Sequence, residues 1–132
     1  MKRTLPLLCL FLMVACNTLS DHQEGPYLSP DGTLELYAKV NRTDPDQPNY
    51  AKVVFSIVDN ATNQTLTLET GIGDAMKWSV GWYDDDTIVA YSSDIGTHCW
   101  RFDAVKFEEL QPTREMQLFA EQVKGNKYRR SE

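Results

Sequence analysis

The chain is predicted to be mainly β: a small antiparallel meander of six or seven strands, a sandwich or an open barrel, finished by one C-terminal helix. Three observations predict it. Apolar and polar residues alternate over short stretches that recur through residues 33–109. Turn-forming pairs such as Asp31-Gly32 and Gly73-Asp74 divide these stretches. At residues 116–123 the apolar spacing changes to that of a helix. A period of two is a strand facing a core on one side, and a period near 3.6 is an amphipathic helix. The 132 residues suit one domain, residues 31–125, and a 42% hydrophobic composition is that of an ordinary globular protein.

Each element follows from its own residues. In 33–41, Leu34, Leu36, Ala38 and Val40 face one way and Thr33, Glu35, Tyr37 and Lys39 the other. Residues 42–49 contain two prolines and read as a loop. In 51–59, Val53, Phe55 and Ile57 lie on one face and Val54 and Val58 on the other, so this strand is expected to be central or covered on both sides. Asn60-Ala61-Thr62-Asn63 is a hairpin connection, and 64–70 alternates again, burying Leu66 and Leu68. Gly71-Ile72-Gly73-Asp74 is expected to turn the chain. Residues 76–82 then place Met76, Trp78, Val80 and Trp82 on one face. Strands 87–92, 97–102 and 104–109 follow. Trp78, Trp82, Trp100, Phe55 and Phe102 are expected to form most of the core.

In the helix, Met116, Phe119, Ala120 and Val123 make one apolar stripe, which should pack on a sheet face or close a barrel mouth. Pro112 suits its first turn and Gly125 its C-terminal cap, which leaves 126–132 as a loose basic tail.

The N-terminus has a different character. Lys2 and Arg3 precede an apolar stretch, Leu5 to Val14, of about ten residues. At about 1.5 Å per residue such a helix covers only about half of a roughly 30 Å hydrocarbon core. It reads as a signal-peptide core and not a membrane span. Met13-Val14-Ala15-Cys16 then resembles the lipobox of bacterial lipoproteins, with Met13 where Leu is usual. The resemblance implies removal of residues 1–15, acylation of Cys16, and a cell-envelope location. Asn17 is compatible with sorting to the outer membrane, facing the periplasm. Residues 16–30, interrupted by Pro26 and Pro30, are expected to be the acylated cysteine and a flexible tether. Two or more acyl chains give durable attachment where one does not.

Charge and cysteine usage agree. The mature chain would carry 11 basic against 19 acidic residues, a net charge of −8. That balance repels nucleic-acid phosphate and anionic lipid headgroups, so the folded domain is not expected to adhere to a membrane by charge. With Cys9 removed and Cys16 acylated, Cys99 has no intramolecular partner.

No motif carries chemistry. Asp84-Asp85-Asp86 has no EF-hand spacing and reads as a solvated turn. Asp44 and Asp46 fail the same test at Pro48. His22 lies in the tether, and His98 shares a strand face with Trp100 and Phe102 and reads as a packed histidine. Glu108-Glu109 has no identifiable catalytic partner. Ser29-Pro30-Asp31-Gly32 and the stretch from Trp82 to Ile88 look like turns of β-propeller blades, but two such stretches cannot close a propeller. Trp78, Trp82, Tyr83 and Tyr91 are the candidates for a ligand or partner groove. No catalytic residue, metal or cofactor is expected. The expected function is that of a non-enzymatic envelope lipoprotein with a small β-rich interaction domain and an envelope protein as partner. The alternative is a periplasmic immunity or inhibitor lipoprotein that neutralises a basic toxin or hydrolase.

Overall fold

A computed structural model describes residues 22–41, 51–103 and 105–129. Cys16, the tether up to residue 21, the 42–49 loop with Asp44 and Asp46, and the end of the basic tail lie outside the described residues.

Eight strands form two antiparallel four-stranded sheets, each in sequential order. The first contains β1 (His22–Leu28), β2 (Leu34–Asn41), β3 (Lys52–Asp59) and β4 (Thr65–Gly73). The second contains β5 (Trp78–Trp82), β6 (Thr87–Ser92), β7 (Gly96–Asp103) and β8 (Lys106–Leu110). The mainly β class is therefore as expected, and of the two architectures the molecule adopts the sandwich, with no closed barrel. The alternating residues explain it. Leu34, Leu36, Ala38, Val40, Val53, Phe55 and Ile57 from one sheet meet Trp78, Val80, Ile88, Ala90, Trp100 and Phe102 from the other in one buried cluster. Phe55 and Trp100 join the sheets edge-to-face, 6.0 Å between ring centroids.

The helix α1 (Arg114–Tyr128) packs on the outer face of the second sheet, against β5, β6 and β7. Its stripe meets the odd-numbered residues of those strands: Ala120 joins Val89 and Cys99, flanked by Met116, Phe119, Tyr83 and Tyr91. Gly81 on β5 permits the approach, since a Cβ there would sit 3.1 Å from Val123 and 3.3 Å from Phe119. Thr113 caps the helix by accepting the Met116 N–H, with Pro112 just before it.

Four expectations are corrected. Residues 22–28 are a strand and not tether: β1 pairs with β2 through backbone bonds, at a sheet edge where an irregularity between Glu24 and Tyr27 accommodates Pro26. Gly71 to Gly73 belong to β4, with Ile72 fully buried, so the turn begins at Asp74. Met76 lies in that turn and is 49% exposed. The helix runs through Gly125 to Tyr128, so residues 126–128 are not loose tail. β3 is internal as expected, but its outer valines are half-buried, and β6, with Thr87, Ile88, Val89 and Ala90 all buried, is the strand covered on both faces.

Candidate functional site

The four expected groove residues do not converge. Trp78 and Trp82 point into the space between the sheets, whereas Tyr83 and Tyr91 lie under the helix. Tyr83 packs edge-to-face on Phe119, and the Lys124 ammonium sits 4.4 Å above the Tyr91 ring. Adjacent strand residues point to opposite faces, so four aromatics of mixed parity could not share one groove.

The structure instead opens a cleft of about 450 Å³ where the edge strands of the two sheets and the end of the helix meet. Glu24 and Tyr27 come from β1, Trp78, Ser79 and Val80 from β5, and Val123, Asn126 and Lys127 from α1. Of the expected residues only Trp78 lines it.

Lys127 organises this cleft. Its ammonium donates to Glu24 Oε2 at 3.2 Å and to the Trp78 carbonyl at 2.9 Å. It also lies 3.4 Å from the centre of the Trp78 ring. Burial pushes the Lys127 amine below the ordinary lysine value, and the Glu24 carboxylate partly restores it. Next to it, the Tyr128 hydroxyl donates to the Trp78 carbonyl and accepts the Trp78 N–H. The last helical turn thus covers backbone groups that an edge strand would otherwise present to solvent. Across the cleft mouth the Trp82 indole N–H donates to the Tyr27 carbonyl at 2.8 Å, tying β5 to β1.

At the floor, Ser79 Oγ is buried and has no hydrogen-bond partner among the described residues. The two charged groups, by contrast, are engaged with each other and with Trp78.

Other candidates have structural roles. His98 stacks on Trp100, with its ring nitrogens 2.9 Å from Glu109 Oε1 and 3.0 Å from the Ile95 carbonyl oxygen. Glu108 pairs with Arg101. Cys99 is buried and donates to the Leu110 carbonyl, and burial and Glu109 raise its pKa, so it is no nucleophile. Asp84 Oδ1 accepts the backbone N–H groups of Asp86 and Thr87. Asp85 accepts the Asp31 N–H and joins the two blade-like turns.

Sequence reasoning missed Glu24, Ser79 and Lys127. Lys127 did leave a signal: it continues the apolar row Phe119, Val123 at steps of four, where a lysine must be paired or snorkel.

Among the described residues no helix is long and apolar enough to cross a membrane. No protein-family model matches the chain, and no curated protein or solved structure is significantly similar to it.

Proposed function

We propose that this chain is a non-enzymatic lipoprotein of the bacterial envelope. It is held by an acylated Cys16, in the outer membrane facing the periplasm, and binds an envelope protein through its β-sandwich. The observation that carries this reading is the order of the N-terminal residues: a basic pair, a short apolar stretch, then Met13-Val14-Ala15-Cys16. The cleft between β1, β5 and α1 supports a binding role, because its ionisable groups are committed to one another and Ser79 is not.

Metabolic labelling with an alkyne fatty acid tests the anchor. Label should appear on the wild-type chain and vanish in Cys16→Ala, which should also abolish leader removal. A photo-crosslinker at Asn126, exposed on the cleft rim, should then join the anchored protein to one envelope protein. An unlabelled wild-type chain would remove the reading.

A second reading, an immunity or inhibitor lipoprotein, draws support from the far end of the sandwich. There Asp31, Asp84, Asp85 and Asp86 share neighbouring turns and would face a basic partner. Crosslinks from residue 85 to a toxin or hydrolase, with none from residue 126, would favour it.

A further inference from the structure

The two ends of the sandwich differ in a way that bears on how it meets a membrane. β1 begins at His22, six residues after Cys16. Six steps at about 3.3–3.6 Å span at most roughly 20 Å, so an acylated Cys16 would hold that end of the domain close to the bilayer. His22 pairs with Val40, and Lys52 at the start of β3 pairs with Gly73 at the end of β4. The turn 74–77 therefore lies at the same end as the anchor. So does the turn 93–95, because the Ser93 N–H donates to the Lys77 carbonyl at 2.9 Å.

These two touching turns carry exposed apolar side chains, Met76 at 49% and Ile95 at 36%. Lys77 lies between them, exposed. Of the described carboxylates there, Asp74 is turned inward to accept the Trp78 indole N–H, Asp94 is exposed, and Glu109 contacts His98, which reaches the Ile95 carbonyl. The opposite end holds Asp31, Asp59, Asp84, Asp85, Asp86 and Asp103 in its turns. Among the described residues, the turn aspartates are thus more numerous at the end that would be further from lipid. Anionic headgroups repel that end and leave the other to approach.

We propose that the turns 74–77 and 93–95 form a bilayer-contacting surface. Met76 and Ile95 enter the headgroup region and Lys77 meets lipid phosphate. This rests on the acylation of Cys16 proposed above. It fixes which end of the domain faces the lipid.

The test uses the full acylated protein bound to vesicles of phosphatidylethanolamine and phosphatidylglycerol. Met76→Cys, Ile95→Cys and Val105→Cys are each labelled with an environment-sensitive nitrobenzoxadiazole probe, Cys99 being buried. Val105, 74% exposed in the turn between β7 and β8, is the control at the far end. Probes at 76 and 95 should brighten several-fold and shift to the blue on vesicles, and the probe at 105 should not. A protein that sediments with the vesicles while all three probes report water would overturn the surface alone. Brightening at 105 without 76 would also overturn it, by reversing the orientation. Failure to sediment at all would overturn the anchor, and this inference with it.

Discussion

The two ends of the sandwich are both built of short β-turns, yet they hold their shape by different means. At the far end the turns are closed by their own aspartates. Asp31 accepts from Ser29 and Thr33, Asp59 from the Ala61 N–H, and Asp84 from Asp86 and Thr87. Each is a local bond between residues at most three apart, and such bonds form wherever the sequence supplies Asp, Ser or Thr at a bend. At the other end Ser92 closes the 93–95 turn locally, but the cleft beside it is held by distant residues. Lys127 and Tyr128 reach Trp78 across about fifty positions of sequence, and Lys127 reaches Glu24 across about a hundred. The end that closes itself presents carboxylates, and the end that needs the helix presents apolar tips and a cleft.

Five substitutions sharpen or break this contrast. Trp78→Ala should have the largest effect, about 3–5 kcal/mol in denaturant unfolding, because it empties a core site and removes the ring under Lys127. A loss below about 1 kcal/mol would mean that the anchor end does not depend on that contact. Lys127→Ala should cost about 1–2 kcal/mol, since the Trp78 carbonyl loses a charged donor. Lys127→Met, which keeps most of the stem packing, should cost less. Hydrogen exchange should locate the damage in the last turn of α1 and the start of β5 and leave the far-end turns protected. Damage spread evenly would erase the distinction between the two ends.

Asp84→Ala should cost about 1 kcal/mol, confined to the far end. Its pH dependence has a definite sign. Burial raises the Asp84 pKa, but the Asp86 and Thr87 N–H groups outweigh it and hold the carboxyl below the ordinary aspartate range. The folded value lies under the unfolded one, so the contribution is present at neutral pH and is lost as pH falls below about 4. The stability difference between wild type and Asp84→Ala should therefore shrink in acid. Met76→Ser should change stability by less than about 0.5 kcal/mol, since that side chain is exposed, and should act on the membrane alone.

The same contrast explains what the sequence made legible. β2 and β3 were readable because one face of each is buried, which imposes alternation on the residues, and β6 because its run is apolar and nearly all buried. β1 was not, because all but one of its residues are exposed and backbone bonds alone attach it to β2. Gly71 and Gly73 looked like a turn, yet they lie within β4 and flank the buried Ile72. Gly125 looked like a helix stop, but its Cβ position opens on empty space, and the bonds of Lys127 and Tyr128 to Trp78 carry the helix past it. The cleft was the least legible part. It draws Glu24, Ser79 and Lys127 from three elements that are neighbours only in the folded chain. By contrast the lipobox-like Met13-Val14-Ala15-Cys16 is a contiguous string, whose resemblance needs no fold to be noticed.

Intact mass spectrometry of the protein extracted from bacterial membranes bears most directly on the account. It should find a polypeptide that starts at Cys16, heavier than its sequence by a diacylglyceryl group, with or without an amide-linked acyl chain. A product that keeps residues 1–15, or a soluble product with an unmodified thiol at residue 16, would contradict the anchor and the orientation built on it.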